Sequence, residues 1–148
     1  MAYLAHIIIF STYGYFFNRQ KDTWTAHLVW LPMFIILYGA LPSLQYNVGT
    51  DYFNYVSIYD GNVNHKIFYR KGEFIFYYIY DFIIAQHLGA QSIFILVGLM
   101  QSFIIYFILC GLKKQTFSIL LVSFLFLVMT GIYQNQMNGL RNYTAVLL

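Results

Sequence analysis

Long apolar runs separated by short polar segments dominate this 148-residue chain. Of its residues, 60% are hydrophobic and only 9% are charged, whereas soluble domains carry roughly a quarter of charged residues. We therefore predict that residues 1–148 form a single domain of the all-α class, a polytopic bundle of membrane helices. Aromatic residues reach 22% and include 15 tyrosines, so much of the chain is expected near the membrane–water interface, which tyrosine favours.

The charged, cysteine and histidine residues argue against several classes of function. The net charge is +3 and no basic cluster exceeds a pair, so we predict no nucleic-acid partner. The single cysteine, Cys110, excludes an internal disulfide. The four histidines are dispersed without ligand spacing, which favours unrelated structural or surface roles, and we predict no metal site; they are His6, His27, His65 and His87.

Five hydrophobic runs can be traced along the sequence. They cover approximately residues 3–17, 24–41, 73–88, 91–112 and 116–132. A sixth run begins near Leu140 and is cut off at Leu148, although a span needs about 20 residues. We therefore expect the chain to be the N-terminal fragment of a longer polytopic protein.

Two positive pairs bear on the topology of the chain. Arg19 with Lys21 and Lys113 with Lys114 should both be cytoplasmic, because basic residues accumulate on that side. If all five runs span, the two pairs fall on opposite sides. If the run 73–88 does not span, both fall inside.

The pattern of the run 73–88 favours the second arrangement. Glu73, Tyr77 and Asp81 lie at i, i+4 and i+8 and share one helix face, while apolar residues cover the rest. This is typical of a helix lying in the interface, or of a re-entrant helix with a polar stripe facing a cavity. We therefore predict that the loop 43–72 is extracytoplasmic.

A polar turn between the second and third runs opens a tyrosine-rich segment. Thr50 is a good N-cap and Asp51 suits the first turn of a helix, which should extend to about Asp60 with Gly61 as its stop. Tyrosines 52, 55 and 59 would share one face of this helix. The arrangement predicts a carboxylate beside an aromatic wall that could hold a sugar; the alternative is a helix cap with interfacial tyrosines.

Three cations in the external loop are a second candidate site. Lys66, Arg70 and Lys71 are unexpected on the outer side and could bind a phosphate or pyrophosphate, which arginine grips bidentately. The alternative is a solvated loop with an ion pair to Glu73.

Two further charges stand near apolar segments. Arg141 begins an apolar helix after a run of amides, where a charge is costly unless it is paired or functional; the alternative is a snorkelling side chain that marks a helix end. Asp81 is either a functional intramembrane carboxylate or a group facing water.

Three short motifs occur in an order that resembles a known family. They are residues 48–55 with Gly-Thr-Asp-Tyr, residues 72–74 with Gly-Glu-Phe, and residues 138–141 with Asn-Gly-Leu-Arg followed by Ala145. Their order and spacing resemble those of the EpsG-like and Wzy-type repeat-unit polymerases of bacterial polysaccharides. Family members often carry an arginine shortly before Gly-Thr-Asp, where this chain has Gln45.

The resemblance implies a GT-C-like fold and an inverting membrane glycosyltransferase in the bacterial cytoplasmic membrane. It would join undecaprenyl-pyrophosphate-linked oligosaccharides into O-antigen, capsule or exopolysaccharide. Asp51 would be the general base, with Glu73 second, and Arg141 would stabilise the leaving pyrophosphate, assisted by Arg70 or Lys71. Family members are much longer proteins, so the fragment alone is expected to be inactive.

Eight residues are expected to bind substrate: Gly49, Thr50, Tyr52, Tyr55, Lys66, Arg70, Lys71 and Asn138. The lipid-linked donor is already activated, so no cofactor is predicted. Expected partners are the lipid-linked oligosaccharide, membrane lipids, and polysaccharide-export and chain-length-control proteins. The alternative function is a non-enzymatic flippase or transporter segment, or a scaffold of an export complex, which would place charges within spans along a pathway.

Overall fold

The computed structural model describes residues 2–21, 23–44, 46 and 52–114, with side chains from residue 8 onward except those of 41 and 42. The described residues form six helices and no strand: α1 Ala2–Arg19, α2 Trp24–Ser43, α3 Tyr52–Tyr59, α4 Lys66–Arg70, α5 Phe74–Ala85 and α6 Gln91–Lys114. The all-α prediction is confirmed for this part of the chain. The run 116–132, the motif 138–141 and the turn 49–51 lie outside the described residues.

The helices differ in their capacity to cross a membrane. Among the described residues, α6 is the one helix that is both long and apolar enough, with 24 residues, or about 36 Å, against a hydrocarbon core of about 30 Å. Helix α2 contains a shorter apolar stretch, Trp24–Ala40. Helix α5 has 12 residues, which is a length of about 18 Å and too short to span the membrane alone. This length agrees with the prediction of an interfacial or re-entrant helix.

Helices α1, α2 and α6 pack around an aromatic core. Tyr13 of α1 packs edge-on against Trp30 of α2 at 5.2 Å and donates a hydrogen bond to the Trp30 carbonyl at 3.0 Å. Phe17 of α1 lies 5.7 Å from Tyr106 of α6, measured between ring centroids, which joins these two helices. The buried members of this three-helix core are Phe10, Tyr13, Phe17, Phe34, Tyr38, Ile105, Tyr106 and Leu109.

Helices α2 and α6 approach closely through two glycine–serine pairs. A Cβ atom added to Gly39 would lie 2.6 Å from Oγ of Ser102, and one added to Gly98 would lie 2.5 Å from Oγ of Ser43. The Ser102 hydroxyl in turn donates to the Gly98 carbonyl at 2.7 Å. Small residues let helix backbones approach where apolar burial alone provides little drive inside a membrane, so these two pairs define the crossing.

The two positive pairs lie at the same end of the three-helix core. Lys113 Nζ donates to the carbonyl of Gln20 at 2.6 Å and lies 4.5 Å from the Phe17 ring centroid. Gln20 stands between Arg19 and Lys21 in the chain. This is the arrangement expected if the run 73–88 does not span. Which side of the membrane this end faces stays a prediction.

Candidate functional site

Helices α3 and α5 pack on the N-terminal half of α6, and α4 packs on α5. The buried side chains that join them are Tyr52, Tyr55, Ile58, Phe68, Phe76, Tyr80, Ile83, Ile93, Phe94 and Val97. Gln91, the first residue of α6, donates through Nε2 to the carbonyl of Ser43 at 2.7 Å, so the C-terminal end of α2 is held beside this group. The candidate site is therefore remote from the end that carries the two positive pairs.

The tyrosines of α3 share one face, as their spacing predicts, and that face packs inward. Tyr52 and Tyr55 are 8% and 7% exposed. Tyr52 stacks on Phe94 at 5.2 Å, and Tyr55 meets the same ring edge-on at 5.9 Å. Their rings are thus occupied by protein contacts within the described residues. Gly61 adopts a φ of 80° just after the helix, which confirms it as the stop of α3.

Tyr80 ties α5 to α3. Its side chain is fully buried, stacks on Phe68 at 5.3 Å, and donates to the carbonyl of Tyr55 at 3.1 Å. Burial, and next the neighbouring Tyr55 hydroxyl, raise the pKa of Tyr80 well above its ordinary value. The hydroxyl therefore stays protonated and acts as a donor, which fixes the register between the two helices.

A tight turn places Glu73 just after the segment that carries the three loop cations. The turn between α4 and α5 uses Gly72 at a φ of 77°, and the Glu73 amide donates back to the Phe68 carbonyl at 2.9 Å. Lys66, Arg70 and Lys71 are all exposed. Their exposure leaves the three positive charges accessible at the surface of the described part of the chain.

The same turn assembles a cluster that sequence patterns do not reveal. The His65 ring stacks on Tyr77 at 5.6 Å, with 20° between the planes, and Nε2 of His65 lies 3.7 Å from Oδ1 of Asp81. Tyr69 of α4 meets the Tyr77 ring edge-on at 5.3 Å. The polar stripe predicted along this segment therefore faces α4 through Tyr77 and Asp81.

Comparison with known families decides what kind of protein carries this site. A family model described as the EpsG family matches residues 27–148. The chain belongs to the EpsG family. The resemblance of its three motifs is thereby confirmed, and with the long apolar helix α6 it makes the chain a membrane protein of polysaccharide biosynthesis. No curated protein and no solved structure matched the chain significantly, so the GT-C-like fold stays a prediction.

The predicted site residues of this EpsG-family chain fall into two groups. Among the described ones, Tyr52 and Tyr55 lie in the buried cluster of α3, α5 and α6, whereas Lys66, Arg70 and Lys71 are exposed on α4 and the turn that leads to Glu73. The others lie outside the described residues, and their roles stay predictions: Gly49, Thr50, Asp51, Asn138 and Arg141. Asp51 directly precedes Tyr52, whose buried ring anchors the beginning of α3.

His65 is the group that sequence reasoning missed in the EpsG-family chain. It stands 16 residues before its acidic neighbour, and nothing local connects the two positions. They meet because α4 and α5 reverse direction at Gly72 and pack through Phe68, Phe76 and Tyr80. No group of three His, Cys, Asp or Glu side chains that could hold a metal ion is found in the described part of the chain.

Proposed function

We propose that this chain is part of a membrane glycosyltransferase that polymerises undecaprenyl-pyrophosphate-linked oligosaccharide repeats on the outer face of the bacterial cytoplasmic membrane. Membership of the EpsG family carries this proposal. The product would be an O-antigen, a capsule or an exopolysaccharide. The exposed cations of α4 and the following turn support it, because a pyrophosphate leaving group needs positive charge at the site of reaction.

The position of α3–α5 along α6 supports an external site. Phe94, against which α3 packs, and Lys113 at the opposite end are about 19 residues apart, or about 28 Å along the helix axis. That distance is close to the thickness of the hydrocarbon core, about 30 Å. If the positive pairs are cytoplasmic, α3 and the beginning of α6 lie towards the outer face, where lipid-linked repeats would be joined.

The proposed reaction has two chemical requirements. The acceptor hydroxyl loses its proton as its oxygen bonds to the anomeric carbon, and Asp51 is the first candidate base, with Glu73 second. The bond from that carbon to the pyrophosphate breaks, and its electron pair stays on the pyrophosphate oxygen. Arg141 would stabilise this charge, with Arg70 or Lys71 assisting through charge-assisted hydrogen bonds. The activated donor makes a nucleotide or redox cofactor unnecessary.

Reconstitution of the full-length protein tests this function directly. We expect proteoliposomes supplied with undecaprenyl-pyrophosphate-linked repeats to yield a ladder of products that differ by one repeat, with release of one undecaprenyl pyrophosphate per bond formed. Gel electrophoresis measures the product ladder, and lipid phosphate analysis measures the released undecaprenyl pyrophosphate. Translocation of intact lipid-linked repeats without a ladder would contradict the proposal and favour a flippase.

Cysteine labelling in intact cells tests the sidedness. On a Cys110→Ala background, single cysteines at positions 51, 81 and 141 should react with an impermeant maleimide from outside, and one at position 114 should be protected. The reason is that the first three positions belong to the proposed external site, whereas position 114 is the last residue of α6, at the end with the positive pairs. Labelling that places residues 51 and 141 on opposite faces of the membrane would contradict the proposal that both belong to one site.

The structure gives the transport alternative little support. That alternative needs a carboxylate inside a span, facing a pathway. The Asp81 side chain is 60% exposed and lies on a helix too short to span alone. A scaffold role, and contacts with polysaccharide-export or chain-length-control proteins, remain compatible with the same site as additional interactions.

A further inference from the structure

The α4–α5 pair presents exposed aromatic rings beside a carboxylate. We call His65, Tyr69, Tyr77 and Asp81 the aromatic–acid face. Tyr69 remains 54% exposed, although its ring meets those of Phe74 and Tyr77 edge-on. The Asp81 side chain is 60% exposed, and that of His65 is 20% exposed. Most of this face is therefore available to a ligand.

The polar atoms of the aromatic–acid face are not satisfied by one another. Nε2 of His65 is buried and has no hydrogen-bond partner within the described part of the chain. Oδ1 of Asp81 lies 3.7 Å from this nitrogen, beyond hydrogen-bond distance. Buried polar atoms are almost always paired in native proteins. Asp81 is thus held by His65 only through this long contact, and its exposed carboxylate stays available to the hydrogen-bond donors of a ligand.

We propose that the aromatic–acid face is a subsite for an uncharged sugar unit of the oligosaccharide, a proposal that rests on the polymerase function proposed above. The apolar C–H face of a pyranose packs on the electron-rich face of an aromatic ring, here that of Tyr69 with Tyr77 beside it. Asp81 accepts hydrogen bonds from sugar hydroxyls, and these are strengthened by its charge. His65 packs against Tyr77 and lies beside Asp81, and so positions the ring and the carboxylate that meet the sugar.

The charges of the α4–α5 pair suit different parts of the substrate. Asp81 would repel a phosphate or an acidic sugar, whereas Lys66, Arg70 and Lys71 suit the pyrophosphate. Tyr77 and Asp81 are one turn apart, about 6 Å along the helix, close to the length of one pyranose unit. The aromatic–acid face therefore selects a neutral sugar, and the cations receive the charged end of the lipid carrier.

The test uses full-length protein in lipid nanodiscs and two readouts. The first is binding of the repeat-unit oligosaccharide released from its lipid, followed by saturation-transfer NMR and titration. The second is the polymerisation kinetics, in which the effect of each variant on KM is measured separately from its effect on kcat. Tyr69→Leu should weaken binding and raise KM about tenfold with little change in kcat, because the ring face is lost. Tyr69→Phe keeps that face and should behave as wild type.

Asp81→Asn provides an independent variant, with Asp60→Asn as its matched control. Asp60 is an exposed carboxylate just after α3, outside the aromatic–acid face. Asp81→Asn should weaken oligosaccharide binding severalfold, and Asp60→Asn should not. Unchanged binding in both Tyr69→Leu and Asp81→Asn, with normal melting temperatures, would overturn the subsite. Wild-type protein that binds the oligosaccharide through Tyr69 yet forms no ladder would refute the polymerase proposal and leave the subsite standing.

Discussion

Replacement of Gly98 by leucine is expected to destabilise the protein by about 3 kcal/mol or more, a value at the upper end for overpacked cores. A Cβ at this position would lie 2.5 Å from Oγ of Ser43, with the Gly39 carbonyl oxygen at 3.4 Å and the Ser43 backbone nitrogen at 3.5 Å. The backbone atoms cannot rotate away, so a branched side chain must push α2 and α6 apart. Thermal unfolding in detergent measures the loss of stability, and labelling of thiols at buried positions provides a second measure of it.

Gly111→Leu is the matched control, because the same helix carries this glycine at an exposed position where an added Cβ meets nothing within 4 Å. It should be neutral, or stabilising by up to about 1 kcal/mol, since leucine favours helix more than glycine does. Gly98→Ala should cost less than Gly98→Leu, and adding Ser43→Ala should recover part of that cost by removing the crowded Oγ. Equal effects at positions 98 and 111 would contradict the close crossing.

Replacement of Asp51 by asparagine is expected to lower the polymerisation rate of the full-length protein by a factor of about 10² to 10⁴, the range typical for loss of a general base. Asparagine has nearly the same shape but cannot take the proton from the acceptor hydroxyl. The effect should fall on kcat, and oligosaccharide binding should change little. The product ladder and the release of undecaprenyl pyrophosphate measure the rate.

Asp60→Asn controls for the loss of a negative charge near the other end of α3 and should leave the rate unchanged. Normal polymerisation by the Asp51→Asn variant would show that Asp51 is not the general base. Glu73, the residue that directly precedes α5, would then be the remaining candidate, and Glu73→Gln should show the loss instead. Activity retained in both variants would exclude the carboxylate-base mechanism from this part of the chain.

The sequence predicted local features of the fold well, but it did not predict contacts between residues that are distant along the chain. Composition and apolar runs predicted helices α1, α2, α5 and α6 to within a few residues at most ends, because burial in a membrane demands internally paired backbones. The stop at Gly61 followed from glycine's freedom at positive φ. Helix α4, with only 5 residues, gave no periodic signal and was not predicted. The three motifs led to the family, since they are properties of the sequence alone.

The sequence by itself determined the class of the molecule, its helical segments and the motifs that define its family. Only the tertiary structure decided how these parts are used. Tyr52 and Tyr55 share a face by periodicity, but the position of Phe94 turned that face inward. His65 and Asp81 are unrelated along the chain, but the turn at Gly72 brings them within 3.7 Å. Periodicity fixes which residues share a face of one helix, whereas packing between helices decides which faces are buried and which distant residues meet.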